Sequence, residues 1–293
     1  TTPSTPKSSR RHCVSSKVLP SIYLRKQMPT SLRFLHRFRA FAVFAVTVIL
    51  ACIVGVTASC APRVPTDYVY FRVYLDGQPT LGLSKKNKAL TGLVVFFHGV
   101  DTDEQSMISD PTHKQLTDSL LNAGYAVVAS NAGGNSYGNP ASRQNYLDLA
   151  RMAAYHYHVA DIYLLAESMG AIAAVDILAT PNTLPVRGLA AISPALDLDN
   201  APPPYRSAIE AAYPGQSIDS VSPMNLPRDQ LLGKKVRFYA SQDDKIVPTA
   251  DNAGAFEDRF GTAAAISVVP CTGGHLAASC IQADDIVRWY RSL

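Results

Sequence analysis

The sequence predicts an α/β fold, with a mostly parallel central sheet and helices on both of its faces. From about residue 67 onwards, short apolar runs typical of doubly buried strands alternate with longer segments of helical periodicity. This alternation favours a parallel sheet, because each helix returns the chain to the edge where the next strand begins. With 293 residues, the chain is also long enough to bury a substantial core.

The predicted elements follow one another with few interruptions. An aromatic and β-branched strand at 68–74 ends in Asp76-Gly77, which favours a hairpin turn, and 85–88 is predicted as a solvated loop. Apolar runs predict further strands at 93–97, 125–129, 162–166, 189–192, 236–240 and 266–269. Helical patterns cover 112–122, 142–157, 169–179, 250–260 and 283–291. Residues 199–230 hold six prolines and no clear strand, so they are predicted to be an insertion.

The N-terminal segment, residues 1–60, differs from the rest of the chain in charge. It contains nine Lys or Arg residues and no Asp or Glu, whereas residues 61–293 contain 18 basic and 23 acidic residues, a net charge of −5. The acidic balance of the main domain argues against nucleic acid as a partner. Met28 fits as the start of a signal, which leaves residues 1–27 as a polar, unpatterned tail predicted to be disordered.

Residues 41–59 form an uncharged, apolar stretch preceded by three arginines, as in a secretory signal peptide. Nineteen apolar residues are also enough for an uncleaved membrane anchor. Thr57-Ala58-Ser59-Cys60 resembles a bacterial lipobox, in which Cys60 would carry lipid, although Thr57 replaces the usual Leu, Val or Ile. The three alternatives all predict an exported domain, either secreted or attached to a membrane through this segment or a lipidated Cys60.

Ser168 lies between a predicted strand and a predicted helix, in the setting of a nucleophile elbow. A turn this tight admits only small side chains at the flanking positions, which are Ala166 and Gly170. Ala166 departs from the G-x-S-x-G pattern by one methyl group. The alternative is a serine that simply caps an ordinary buried helix. The neighbouring Glu167 is predicted to be a packing or polar-network residue.

A carboxylate and a histidine follow Ser168, each placed just after a later predicted strand. The Asp244-Lys-Ile-Val-Pro spacing favours Asp244 over its neighbour Asp243 as the carboxylate. His275 follows two glycines, which indicates a functional loop rather than a core position. His98-Gly99 follows the strand at 93–97, and His98 is predicted to brace that loop.

Together these four segments resemble the α/β-hydrolase family, in particular secreted bacterial esterases and lipases, over about residues 67–293. The order of nucleophile, acid and base along the chain is the order of that family. The resemblance implies a catalytic domain at 61–293, with the insertion at 199–230 in the position of a cap. It implies no cofactor, and no Cys or His cluster has the spacing of a metal site.

The resemblance also implies a role for each residue. Ser168 is the expected nucleophile, His275 the base and then the acid, and Asp244 the group that orients the imidazole. The backbone N–H groups of Met169 and Val100 are the expected oxyanion donors. The implied activity is hydrolysis of a small-molecule or lipid ester. An acyltransferase or a peptidase with the same residues, and a non-catalytic binding protein of this fold, are the alternatives.

Two segments are candidates for contacting the substrate. Asn135 and Tyr137 lie in a Gly/Asn-rich loop at 131–140, which is equally typical of a surface turn. Tyr205 and Tyr213 lie in the proline-rich insertion and are predicted to contact an acyl chain, with a solvated loop as the alternative.

Cys271 and Cys280 are predicted to form a disulfide that brackets the loop carrying His275. When Cys60 and the two cysteines of the leader are set aside, the main domain has an even number of cysteines, namely these two. An exported domain is also exposed to an oxidising compartment, where thiols form disulfides. The alternative is two free, buried cysteines that pack as small apolar residues.

Overall fold

A nine-stranded mixed sheet forms the centre of the computed structural model, which describes residues 67–293. The strands are β1 (Tyr68–Phe71), β2 (Tyr74–Leu75), β3 (Gln78–Lys85), β4 (Gly92–Phe97), β5 (Tyr125–Ser130), β6 (Ile162–Glu167), β7 (Val186–Ile192), β8 (Lys235–Ser241) and β9 (Ala265–Cys271). They lie in the order β1-β3-β5-β4-β6-β7-β8-β9, and β2 pairs with β3. Strands β4 to β9 are parallel, whereas β1, β2 and β3 form an antiparallel edge.

Helices cover both faces of the sheet. They are α1 (Pro111–Asn122), α2 (Pro140–Tyr157), α3 (Gly170–Ala179), α4 (Pro203–Ala212), α5 (Ile218–Val221), α6 (Ala255–Phe260) and α7 (Ala283–Arg291). Helices α2, α3 and α6 pack into one hydrophobic core, and α1 and α7 pack into a second core on the opposite face. The predicted α/β class, with a mostly parallel sheet covered on both sides, is therefore confirmed.

Strand β6 shows why the central strands are continuous apolar runs. All six of its residues are buried, and successive side chains enter opposite cores. Ile162, Leu164 and Ala166 face the core of α2 and α3, while Tyr163 and Leu165 face that of α1 and α7. A strand buried on both faces has no polar side to show in its sequence.

The antiparallel edge departs from the predictions. The predicted strand at 68–74 is split into β1 and β2, and β3, which follows the predicted Asp76-Gly77 turn, was not predicted. Strand β3 contains Pro79 and Gly82, two residues that are unfavourable within strands. It forms nevertheless, because it pairs with β1 on one side and with the buried β5 on the other.

Two helices also begin differently from the predictions. The helix predicted at 250–260 starts with a π-helical turn, Ala250–Gly254, before α6. Helix α2 begins earlier, at Pro140, where the side chain of Asn139 caps it by accepting the N–H of Ser142.

The insertion at 199–230 is helical and contains α4 and α5. Ile209, Tyr213 and Ile218 of this segment form a third cluster with Met169 and Ile172. The insertion therefore packs directly on the start of α3.

The leader lies outside the described residues, and so do the predictions for its signal, for Met28 and for Cys60. Residues Thr66–Leu293 form one compact unit. Within 67–293, no helix is both long and apolar enough to cross a membrane.

Candidate active site

Ser168 occupies the turn between β6 and α3 with a left-handed backbone conformation, φ 47°. Such a φ is unfavourable for a residue with a side chain, so the surrounding structure must hold it. The N–H of Ser168 donates to the carbonyl of Ile192 at 3.0 Å, and its own carbonyl accepts from Ala171 and Ala195. The bonds to Ile192 and Ala195 join the turn to β7 and to the segment after it, and the bond from Ala171 closes the first turn of α3.

Gly170 is required at the start of α3 because the chain passes close to β4 there. A Cβ atom at Gly170 would lie 2.3 Å from the carbonyl oxygen of Phe97 and 2.7 Å from that of His98. Ala166, on the other side of Ser168, is fully buried in the core and its methyl group fits. The small residue after the serine is thus a steric necessity, whereas the position before it tolerates alanine.

Ser168, His275 and Asp244 form a hydrogen-bonded triad. His275 Nε2 lies 2.8 Å from Ser168 Oγ, and His275 Nδ1 lies 2.7 Å from Asp244 Oδ2. A carboxylate only accepts hydrogen bonds, so it fixes the proton of a neutral imidazole on Nδ1 and leaves Nε2 free to accept the serine hydroxyl. The other oxygen of Asp244 accepts the N–H groups of Ile246 and Val247, both at 2.9 Å.

The structure thus brings together the serine, the histidine and the favoured aspartate. Asp244 is buried, with 2 % of its surface exposed, whereas Asp243 is exposed.

The loop that carries His275 is anchored at both ends. Ser241 Oγ donates to the carbonyl of Gly273 at 2.6 Å, and Ser193 Oγ accepts the N–H of Leu276 at 3.2 Å. A disulfide joins Cys271 to Cys280, as predicted. The sequence did not indicate these roles of Ser193 and Ser241, because a lone serine carries no motif.

Two backbone N–H groups are available beside Ser168. Met169 precedes the ten-residue helix α3, whose N-terminus favours negative charge, and Val100 lines the same cavity as Met169 and Ser168. Within residues 67–293, neither N–H donates to another group. The two predicted oxyanion donors therefore border the serine without an internal partner.

The triad opens into a cavity of about 300 Å³ that Ser168 and His275 both line. Its walls are largely apolar, and Tyr137 and Tyr205, two of the residues predicted to contact the substrate, line it. The walls also carry polar side chains that the sequence did not indicate, namely Asp101, Asp197, Asn200, Lys245, Asp251 and Asn252. Four of these residues lie in loops, and Asp251 and Asn252 lie in the π-helical turn before α6, so no shared pattern marks them.

Solved structures share this architecture at low sequence identity. Brefeldin A esterase, a bacterial homologue of human hormone-sensitive lipase, aligns over 86% of this chain and 84% of its own, with 16% identity and a TM-score of 0.56. An S-formylglutathione hydrolase from Agrobacterium tumefaciens gives a TM-score of 0.61 at 13% identity, covering 76% and 94%. A Pyrococcus furiosus esterase gives 0.55 at 16%, covering 77% and 90%.

The chain has an α/β-hydrolase fold. No protein-family model matches its sequence, and no curated protein matches it significantly. The likeness is therefore one of three-dimensional structure, and it establishes the fold.

Two of the residues predicted to contact the substrate, Asn135 and Tyr213, do not line the cavity. Tyr213 is buried behind the cavity wall, where its hydroxyl donates to the carbonyl of Tyr137 at 2.8 Å. Asn135 is exposed and hydrogen-bonds to Asp101, outside the cavity wall. Both residues hold cavity-lining residues in place instead of lining the cavity.

His98 braces a loop, in agreement with its predicted role. Its Nε2 lies 2.9 Å from the carbonyl oxygen of Asn131 and its Nδ1 lies 2.8 Å from that of Gly99. The ring is buried, with 1 % of the residue exposed. It therefore links the loop after β4 to the loop after β5.

Glu167 belongs to a buried polar network, as predicted. His113 Nε2 lies 2.9 Å from Glu167 Oε1 and 3.1 Å from Oε2, and only Oε2 is aligned to accept its hydrogen. The hydrogen bond to Glu167 raises the pKa of His113 to about 9, against a smaller opposing effect of burial. Asp110, which caps α1, binds the other nitrogen of His113. A charged histidine thus links α1 to the end of β6, next to Ser168.

No group of three or more His, Cys, Asp or Glu residues within 67–293 is arranged to hold a metal ion.

Proposed function

We propose that the protein is an exported serine hydrolase that cleaves carboxylic esters through an acyl-enzyme on Ser168. The observation that carries the proposal is the triad of Ser168, His275 and Asp244, which lies at the wall of a cavity large enough for a small ester. The hydrolase fold, shared with esterases of known structure, supports the same reaction class.

In the acylation step, Ser168 Oγ attacks the ester carbonyl while His275 Nε2 takes the hydroxyl proton. The carbonyl oxygen becomes an oxyanion and accepts hydrogen bonds from the N–H groups of Met169 and Val100. The C–O bond to the alcohol then breaks, and His275 returns its proton to the leaving alkoxide. Asp244 stabilises the imidazolium throughout without taking its proton.

In the deacylation step, His275 takes a proton from water, which attacks the acyl carbonyl of the ester on Ser168. The second tetrahedral intermediate collapses, His275 protonates Ser168 Oγ, and the free acid leaves. An alcohol in place of water would make the same chemistry an acyl transfer. The two products distinguish hydrolysis from transfer directly.

The cavity favours esters of modest size. Its volume of about 300 Å³ is at the lower end for ligand sites, and its walls include Ile172, Leu198 and Ile209. Apolar walls favour an acyl chain, because moving its apolar surface from water into the cavity is favourable and the chain needs no hydrogen bonds there. Turnover of p-nitrophenyl esters should therefore peak at short chains and fall as the chain outgrows the cavity.

The test of the nucleophile is the Ser168→Ala variant, combined with a fluorophosphonate probe. The probe should label Ser168 alone, and the variant should lose on the order of 10⁶-fold in turnover. Ser220→Ala is the matched control, because Ser220 is exposed and its hydroxyl bonds only locally, to the carbonyl of Ser217. An alanine variant that keeps wild-type turnover would refute the proposal.

The exported location is part of the proposal and rests on the leader sequence. The basic residues before 41–59 and the disulfide in the main domain support it. Expression of the full chain followed by cell fractionation and intact mass tests it. Loss of the leader indicates a secreted form, a lipid mass on Cys60 a lipoprotein, and an intact leader in the membrane fraction an anchor. Recovery of the whole chain from the cytoplasm would contradict export.

A further inference from the structure

Two side chains outside the cavity hold the peptide groups on both sides of Val100. Thr102 bonds to the peptide that precedes Val100, and Asn135 bonds to the peptide that follows it. Neither side chain lines the cavity, and Val100 does. In the proposed function the N–H of Val100 is an oxyanion donor, so its direction matters for catalysis.

The peptide between Gly99 and Val100 is held by its oxygen. The carbonyl of Gly99 accepts the hydroxyl of Thr102 at 2.9 Å and lies 2.8 Å from His98 Nδ1. In a planar trans peptide, the C=O and the following N–H point in opposite directions. Fixing the oxygen of Gly99 therefore fixes the direction of the Val100 N–H.

The peptide between Val100 and Asp101 is held by its N–H. This group donates to Asn135 Oδ1 at 2.8 Å, and Asn135 Nδ2 donates to Asp101 Oδ1 at 2.7 Å. Asp101 has a left-handed backbone conformation, φ 58°, which is unfavourable outside glycine. The paired hydrogen bonds hold this conformation and stop the loop from relaxing away from it.

Thr102 and Asn135, with the hydrogen bonds they make around Val100, form a clamp. This clamp is connected to the sheet and lies close to the nucleophile. Gln78 Oε1 in β3 accepts Asn131 Nδ2 and the N–H of Gly133, both at 2.9 Å, which anchors the loop that carries Asn135. On the other side, a Cβ atom at Gly99 would lie 3.6 Å from Cβ of Ser168. A shift of this loop would therefore change the position of the Val100 N–H relative to the reacting carbonyl.

We infer that Thr102 and Asn135 are positioning residues that aim the Val100 N–H at the oxyanion. The inference rests on the proposed function. It predicts that two exposed side chains stabilise the transition state selectively. A general contribution to loop stability would not have this selective effect. Because neither side chain lines the cavity, removing either should act mainly on the transition state and much less on binding of the ground-state ester.

The first test separates kcat from KM. Thr102→Val removes the hydroxyl at nearly constant shape, and Asn135→Ala removes the paired hydrogen bonds. Each should lower kcat by about 10-fold, a fraction of the 10²–10³ lost with an entire donor, and leave KM unchanged. The affinity for a trifluoromethyl ketone, whose adduct carries the oxyanion, should fall by the same factor as kcat. Thr102→Ser should restore both.

Thr183→Val is the matched control, because its hydroxyl also bonds to backbone carbonyls, those of Thr180 and Ile177, at the C-terminal end of α3. It should leave kcat and inhibitor affinity unchanged. A higher KM with an unchanged kcat would overturn the inference. An equal effect in the control variant would also overturn it.

Hydrogen exchange over residues 98–102 gives a readout that needs no turnover. Exchange in this segment should accelerate in Thr102→Val and Asn135→Ala, while the melting temperature stays constant. Unchanged exchange in both variants would overturn the clamp even if the wild type is an active esterase. A wild type that turns over no ester would instead refute the proposed function, and the exchange result would still decide whether the clamp exists.

Discussion

Asp243 and Asp244 are adjacent in the sequence but lie in different environments. Asp244 contacts His275 and accepts two backbone N–H groups, whereas Asp243 is exposed. We expect Asp244→Asn to lower turnover by about 10⁴-fold, because an amide that donates to Nδ1 places the proton of the imidazole on Nε2. Asp243→Asn is the control and should change turnover little. Steady-state kinetics on a p-nitrophenyl ester measures both, and the opposite ranking would move the acid to Asp243.

Gly170 and Gly274 provide a second comparison between single residues. Gly170→Ala puts a methyl group 2.3 Å from a backbone oxygen that belongs to β4, so the strand and the helix must separate. Gly274→Ala meets nothing within 4 Å. Thermal unfolding should show a large loss of stability for Gly170→Ala, about 2 kcal/mol or more, and almost none for Gly274→Ala. A Gly170→Ala variant with an unchanged melting temperature would show that the contact relaxes at little cost.

The residues of the triad were predictable because each follows a predicted strand of the parallel sheet, at the edge where such a sheet collects its functional side chains. The roles of Asn135 and Tyr213 were not. Both were predicted from their residue type and loop, but their hydrogen bonds to Asp101 and Tyr137 depend on loops that are distant in sequence. Such contacts are set by the folded arrangement, and no local pattern encodes them.

At the scale of elements, the fully buried strands carry the clearest sequence signal. Strands β4, β5 and β6 are mostly apolar and buried at every residue, whereas β3 carries proline and glycine and is held by its neighbours. The π-helical turn before α6 could not be predicted from the sequence either. Asn252 in this turn accepts the N–H groups of Leu196 and Asp197, which lie far from it in the sequence. That contact is a tertiary one.

The link between α1 and β6 makes stability depend on pH. Because the pKa of His113 is raised from 6.5 to about 9, the charged form is favoured in the folded state. The stabilisation is complete below about pH 6.5 and is lost as the pH rises through 9, on the order of 3 kcal/mol in total. Urea unfolding at pH 6.5 and pH 9.5 should show this loss in the wild type.

The His113→Gln variant tests the origin of this pH dependence. Glutamine cannot carry the charge, so the difference in unfolding free energy between the two pH values should shrink by most of that amount. His156→Gln is the matched control, because His156 lies in α2, stacks on Phe71 of β1 and is not part of the link between α1 and β6. An undiminished pH dependence in His113→Gln would assign it to other groups.

At the scale of the whole molecule, the alternation of strands and helices was enough to predict the layers. Right-handed crossovers between parallel strands leave few ways to arrange them, so the faces and the functional edge follow from the order. The edge strands β1 and β2 obey no such rule, because antiparallel strands join the sheet wherever a partner is free. The position of the triad and the arrangement of the parallel strands therefore follow from the chain order. The placement of the edge strands β1 and β2 does not.

The site and the three hydrophobic clusters lie within residues 66–293, which form one compact unit. We expect a chain of residues 66–293 to keep the melting temperature and the kcat/KM of the full-length protein. A shorter chain, 78–293, is the control, because it removes β1 and β2 from β3 and with them the hydrogen bond between Tyr68 and Asp118. It should melt at a lower temperature, since β3 then becomes an exposed edge. Differential scanning calorimetry and ester kinetics measure both chains, and loss of folding in 66–293 would show that the leader contributes to the stability of the domain.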